Sequence, residues 1–196
     1  TLCHTVEATS LQLPNLVELG LGAIEGVDCL PAAADHPGIV GRLQELSAGK
    51  DTLTGHWEMM GYITEDPFPV YPDGFADELI EEFSRQCGRG VIGNRPASGT
   101  EIIKELGPRQ LETGELIVYT SADSVFQVAA HTDVIKVDEL YECCRIARRL
   151  LTGEHAVARV IARPYEGPPG DFHRTEDRRD FPLEPPERLV LDDLAD

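Results

Sequence analysis

The sequence is short of positive charge and of aromatic rings, and its cysteines do not fall in pairs. Seventeen Lys and Arg stand against 35 Asp and Glu in 196 residues, a formal net charge of −18. Such a field repels phosphates at long range, which excludes nucleic acid and an anionic membrane as principal partners. A small anionic molecule is compatible only where a few arginines or a metal ion reverse the sign locally. Aromatics make up 6% of the chain, yet 41% hydrophobic and 27% charged residues describe a folded chain. Its length fits one sizeable domain or two small ones. The five cysteines, at 3, 29, 87, 143 and 144, are odd in number and contain no Cys-x-x-Cys. Zinc clusters and disulfide frameworks want regular pairs, so these read as reduced thiols of a cytoplasmic protein. No apolar run approaches the ~20 residues of a membrane span. Thr1 opens directly into a mixed polar segment that does not read as a signal peptide. With no initiator methionine, we expect processing or a piece of something longer.

Several catalytic signatures are missing too. None of the six histidines pairs with another at i+2 to i+4, so no metal cluster emerges. There is no Gly-x-Ser-x-Gly elbow and no Cys/His nucleophile arrangement. Gly49-Lys50 does not complete a phosphate-binding P-loop, because Gln44 stands where the first glycine belongs.

What is present has a clear order. Pro14 starts a short helix that Gly20 ends, and Pro31 to Gly38 is a loop. Ile39 to Leu46 reads as helical or extended. Pro67 to Gly74 holds three prolines in eight residues and reads as a linker. Beyond it, Phe75, Leu79, Ile80, Phe83 and Cys87 predict an amphipathic helix closed by Gly88. Val91 to Gly93 is a short strand. Ser98-Gly99-Thr100-Glu101 has capping-box spacing and opens a helix ending at Gly107. Glu115 to Thr120 and Ser124 to His131 read as strands. Leu140, Cys144, Ala147 and Leu151 line one face of a helix, and Ala156 to Arg163 is a strand. The order from residue 75 is α, β, α, β, β, α, β, with helices packed on a sheet. The tail from Pro164 is loop-rich, and Pro182, Pro185 and Pro186 form a second linker.

Two places can carry chemistry. Asp51, Thr52 or Thr54 can each cap the helix that begins there, with its positive dipole end beside a hydroxyl. A threonine so placed either caps a helix and nothing more, or holds or becomes a phosphate ester. In the strand from Ala156, alternation places Val157, Arg159, Ile161 and Arg163 on one face. The two guanidiniums are ~13 Å apart at ~3.3 Å per residue, too far to grip one phosphate together. They form a solvated face, or serve opposite ends of a small phosphorylated substrate or separate partners. Arg159, Arg163, Arg174, Arg178 and Arg179 make a local excess of positive charge, and arginine forks suit phosphate. Asp123 either forms an Asx turn or accepts from sugar hydroxyls.

Gly49-Lys50-Asp51-Thr52-Leu53-Thr54-Gly55-His56-Trp57-Glu58 resembles the phosphothreonine motif of the bacterial phosphopentomutase family, in the alkaline phosphatase superfamily. The likeness continues through Gly93 to Ile102, Ile117 to Val125 and Arg159 to Pro164, in order along nearly the whole chain. The resemblance implies interconversion of ribose (or deoxyribose) 1-phosphate and 5-phosphate through a 1,5-bisphosphate. Thr52 is then the phosphoryl carrier, and Asp123, Arg159, Ile161 and Arg174 bind substrate, with Arg163 a secondary candidate. It implies two manganese ions, a sugar bisphosphate primer, and small pentose phosphates as partners. The implied fold is α/β, a partial alkaline-phosphatase-like core bearing an inserted α/β (α+β) cap. Residues 1–66 would be core with the phosphothreonine loop, 67–180 the cap, and 181–196 a linker returning to the core. Family members are roughly twice as long, and the regions that carry their metal ligands have no counterpart here. No metal ligand is therefore assigned, and a longer parent chain would supply the missing core. The alternatives are a sugar-phosphate-binding fragment without turnover, or a related metal-dependent phosphomutase.

Overall fold

The computed structural model describes residues 2–49 and 51–196. Lys50 of the Gly49–Glu58 run, and Thr1 on which the reading of the chain's opening rests, lie outside the described residues. The chain divides into one unit ending at Glu45 and a second running from Leu46 to Asp196.

The first unit has little to bury. It contains α1 (Leu2–Thr9), α2 (Pro14–Glu18) and a single 3-10 turn, Leu21–Ala23. Pro14 opens α2, and Gly20 follows its end with φ +103°. Among the described residues, no hydrophobic side chain before Trp57 is buried. The 39–46 stretch is neither helix nor strand, with Ile39 and Leu43 fully exposed. Without an apolar surface to pack on, its spacing of hydrophobics has nothing to stabilise. Cys3 and Cys29 are joined in a disulfide, their Cα atoms 5.3 Å apart across 26 residues of sequence. This corrects the expectation of five reduced thiols. A pairing made by the path of α1 and the loops leaves no short-range spacing to read. Cys87, Cys143 and Cys144 are free.

The second unit follows the expected order from residue 75. Its elements are α3 (Thr52–Met59), α4 (Asp77–Cys87), β1 (Val91–Pro96), α5 (Gly99–Thr113), β2 (Leu116–Thr120), β3 (Val125–His131), α6 (Val137–Leu150), β4 (Arg159–Glu166), β5 (His173–Arg174), β6 (Arg179–Pro182) and α7 (Val190–Ala195). The six strands form one sheet in the order β1-β2-β3-β4-β5, with β6 also paired to β4. β1 and β2 are parallel, as are β3 and β4, while β2 and β3 are antiparallel. The α5 and α6 crossovers therefore step across the sheet in the same direction from oppositely directed strands. Right-handed crossovers then put the two helices on opposite faces.

Side-chain alternation gives each face its own core. Under α4 and α6, Leu116, Val118, Phe126, Val128, Val160 and Ala162 pack with Phe83, Leu140, Cys144 and Leu151. Under α5, a smaller cluster holds Ile102, Ile103, Ile117, Tyr119, Ala129 and Tyr165. Every residue of β2 and β3 is buried.

Local details depart from the sequence reading in several places. β4 begins at Arg159, not Ala156, and runs on to Glu166. Val157 precedes the strand, and its side chain joins the α6-side core with Val160 rather than the face of Arg159. α5 continues through Gly107 and Pro108 to Thr113. Packing overrides those breakers: Gln110 is buried beyond them, and the bare Cα of Gly107 lets the Phe172 ring pass 2.5 Å from where a Cβ would stand. Ser98 occupies the N-cap of α5, but its side chain makes no cap bond. The tail also contains two strands, β5 and β6, that the loop reading omitted.

The proline-rich run has no regular structure, yet it is fastened along its length. Ser124 Oγ donates to the Pro69 carbonyl at 2.5 Å, and the Tyr71 hydroxyl lies 2.8 Å from His155 Nδ1. At its end the Asn94 side chain accepts from Phe75 N and donates to Phe75 O, both at 2.9 Å.

Candidate functional site

Thr52 is the first residue of α3 and is exposed. The residue before it caps the helix: Asp51 Oδ1 accepts from Leu53 N at 2.8 Å. The loop that delivers Thr52 is fixed from behind. Glu58 accepts from Leu46 N at 2.9 Å and Ser47 N at 2.8 Å, while Ser47 Oγ accepts from Thr64 N. Bonding from the Ser47 hydroxyl, then from the Leu46 and Ser47 amides, holds the Glu58 carboxyl below its ordinary range. Trp57 is buried edge-on against Tyr62 and Phe68.

Arg159 reaches this loop. Its Nη2 lies 3.5 Å from Asp51 Oδ2, and its Nη1 lies 3.5 Å from Asp180 Oδ2. The Asp51 side chain is 4% exposed and that of Arg159 is 16% exposed. Both contacts are at the long limit of a hydrogen bond, and Arg159 Nε is buried with no partner among the described residues. The guanidinium is thus held beside the start of α3 with donor capacity to spare.

Asp123 sits in the exposed turn from β2 to β3, where its N–H donates to Ser121 Oγ at 3.4 Å. That turn adjoins the start of β4, because Arg159 N donates to the Ser124 carbonyl at 3.3 Å. Ile161 is buried at 2% exposure, two residues further along β4 on the same strand face as Arg159. Arg174 leaves β5 opposite Tyr165, and its Nη2 donates to Thr100 Oγ1 at 3.0 Å, at the beginning of α5. Arg159 and Ile161 at the start of β4 are thus joined to Thr52 through its neighbour Asp51 and to Asp123 through its neighbour Ser124. Arg174 lies further along the α5 side.

The five-arginine excess divides. Arg163, Arg174 and Arg178 surround a cavity of about 290 Å³. Arg179 turns to the opposite face, stacking 5.2 Å from Tyr141 and 5.5 Å from Phe181, as its neighbour's alternation in β6 requires. Burial, then the charges of Arg178 and Arg174, lower the pKa of Arg163, against the opposing pull of Tyr119 and Asp180. A larger cleft of about 620 Å³ lies against Trp57 and Phe68. Glu65, Asp66, Glu184 and Glu187 line it with the wrong charge for a phosphate.

Three features of this site lay outside the sequence reading. Asp180 is a second carboxylate on Arg159, Thr100 anchors Arg174, and Tyr119 carries a buried hydroxyl with no partner among the described residues. Nothing in spacing marks them, since each depends on how β5, β6 and α5 fold over β4. Among the described residues, no three His, Cys, Asp or Glu side chains are grouped to hold a metal ion. None of the helices among them is long and apolar enough to cross a membrane.

No family model matches the chain. Individual relatives do. A phosphopentomutase of Caldanaerobacter subterraneus subsp. tengcongensis is 57% identical over 196 residues, covering 100% of this chain and 50% of the relative. One of Clostridium novyi is 59% identical over 184 residues, covering 94% of this chain and 47% of the relative. One of Clostridioides difficile is 51% identical over 191 residues, covering 97% and 49%. The resemblance seen in the motifs thus holds along the whole chain. The chain spans about half the length of the curated relatives it matches.

Proposed function

We propose that this chain is the part of a phosphopentomutase that carries the phosphoryl-accepting threonine and grips the sugar phosphate. The observation that carries this reading is the contact between Arg159 and Asp51, which sets a guanidinium beside the helix start bearing Thr52. The identity to named phosphopentomutases along nearly the whole chain supports it.

In this reading the phosphoryl group leaves the Thr52 oxygen for a free sugar hydroxyl, whose proton ends on Thr52. The product is a 1,5-bisphosphate. Thr52 then takes the phosphoryl group from the other end and the sugar oxygen regains a proton. Arg159 supplies charge and unused N–H donors to the equatorial oxygens of the moving group. Asp123 accepts from the sugar hydroxyls, Ile161 packs against the sugar, and Arg174 holds the far phosphate. The partial core, the inserted cap over 67–180 and the return after 181 belong to the same proposal.

Manganese and a bisphosphate primer are also part of the family expectation. The described residues do not fit a metal ion, since they contain no ligand cluster. Its ligands belong, in this reading, to the portion of the relatives this chain does not span. A cytoplasmic setting belongs to this reading as well. The three free cysteines agree with it, and the Cys3–Cys29 disulfide stands against it.

A mutase must bind substrate and product at one place. Titration of the chain with ribose 1-phosphate and ribose 5-phosphate should show mutual competition. Arg159→Ala should weaken both by ~1.5–3 kcal/mol, the worth of a charge-assisted contact. Independent binding of the two isomers, or affinities untouched by Arg159→Ala, would reject the reading. Thr52 has its own test, intact mass after incubation with the 1,5-bisphosphate and manganese. A phosphoryl adduct that persists in Thr52→Ala would remove Thr52 as the carrier.

A further inference from the structure

We propose that Arg163 is a phosphate-binding residue, closing with Arg174 and Arg178 on the phosphate remote from Thr52, and that Tyr119 positions it. The proposal rests on the sugar-phosphate reading above and adds residues to it.

The first ground is unspent charge. In a chain carrying −18, carboxylates outnumber cations two to one. Among the described residues, however, neither Arg163 nor Arg174 makes an ion pair, and Arg174 bonds only the Thr100 hydroxyl. Arg178 does pair, with both of its bonds to Asp180 at 2.8 Å. Asp180, bonded to Arg178 and acting on Arg163, offsets one of the three charges, and the excess positive charge around one cavity of about 290 Å³ favours an anion. Single surface arginines need no such explanation, but three converging ones do.

The second ground is two buried polar atoms without partners. Arg163 Nε has none among the described residues, and neither has the Tyr119 hydroxyl on a side chain 1% exposed. Burying such groups unpaired costs free energy, so native structures rarely keep them without a use. Tyr119 reaches this place because residue 99 is glycine: a Cβ there would lie 2.6 Å from the hydroxyl oxygen. The hydroxyl therefore lies directly under the start of α5. Burial raises its pKa, against the opposing pull of Arg163, Arg174 and Arg178. The Ser98 side chain leaves that helix start uncapped, which adds amide donors and a positive dipole end on the same side.

The third ground is position. Arg163 lies four residues beyond Arg159 on one strand face, ~13 Å along β4 at ~3.3 Å per residue. Arg159 serves the Thr52 end, so Arg163 serves the other end of a small phosphorylated molecule. This assigns to separate ends two arginines that cannot share one phosphate.

Tyr119→Phe separates a binding role from a structural one. Its hydroxyl bonds nothing among the described residues, so the variant should melt no lower than wild type. It should nevertheless bind ribose 5-phosphate about threefold or more weakly, the scale of one hydrogen bond. Arg163→Gln should weaken ribose 5-phosphate about tenfold or more, with Arg163→Lys recovering part of the loss. Ribose without phosphate should bind poorly and equally to all four proteins. Affinity for ribose 5-phosphate unchanged in both Arg163→Gln and Tyr119→Phe would overturn the proposal, as would wild-type binding of ribose as tight as that of ribose 5-phosphate. If the isomers fail to compete while inorganic phosphate still binds in an Arg163-dependent way, the mutase reading falls and this pocket stands.

Discussion

The two faces of the sheet do different work with the same strands. Toward α4 and α6, β4 presents Val160 and Ala162 to an apolar cluster in which Phe83, Phe126 and Leu140 are essentially sealed from solvent. Toward α5, the same strand presents Arg159, Ile161 and Arg163, with orphaned guanidinium nitrogens and a cavity walled by arginine. A packed face gains its free energy from burial and tolerates no polar atom without a partner. A face that keeps unpaired donors forgoes some of that stability and is ready for an anion. The comparison teaches that stability and recognition are separated by one residue of register, across a strand only a few atoms thick.

The separation breaks most severely if a large side chain is removed from the packed face. Phe126 contacts both Phe75 and Phe83, with ring centroids 4.7 and 5.2 Å away. Phe126→Ala should lower unfolding stability by ~3–5 kcal/mol in denaturant titration. The fraction that remains folded should bind ribose 5-phosphate as wild type does. A sugar-phosphate affinity that fell in step with stability would mean the faces are not independent.

A smaller and sharper test uses neighbours. Arg178 and Arg179 are adjacent in sequence but serve opposite faces, one at the cavity and one over Tyr141 and Phe181. Arg179→Ala should cost ~0.5–1 kcal/mol of stability, the worth of a cation–π contact, and leave binding alone. Arg178→Ala should do the reverse, reducing ribose 5-phosphate affinity by ~0.5–1.5 kcal/mol, since Asp180 already shares its donors. Melting curves and titrations of the pair read both effects.

Much of the packed face was legible in the sequence, because burial there follows simple periods. Phe83, Leu140, Cys144 and Ala147 repeat at helical spacing and all are buried. Gly88 closes α4 in the left-handed conformation, as its position implied. The helix start near Thr52 was legible as well, although the sequence left Asp51, Thr52 and Thr54 as candidate caps and the structure selects Asp51. The arginine face was legible only in part. Alternation along β4 gave Arg159, Ile161 and Arg163, but carried the pattern back to Val157, where the strand has not begun. Charge counting grouped Arg179 with Arg178, because composition has no sense of which side of a strand a residue leaves. β5 and β6 are two and four residues long and are defined by pairing with β4, which no local window registers. Nothing in the pattern of the Glu115 to Thr120 strand singles out Tyr119, and only the missing Cβ of residue 99 gives its hydroxyl a distinct position. The Cys3–Cys29 bond was invisible for the same reason of long-range closure.

The central claim is that phosphate binds on the α5 side of β4, and amide chemical shifts of the isotopically labelled chain test it directly. Addition of ribose 5-phosphate should move the amides of residues 51–54, 98–101, 121–125, 159–163 and 174–178, while those of α4 and α6 stay in place. Shifts gathered on α4 and α6, or no shifts at saturating ligand, would contradict the account.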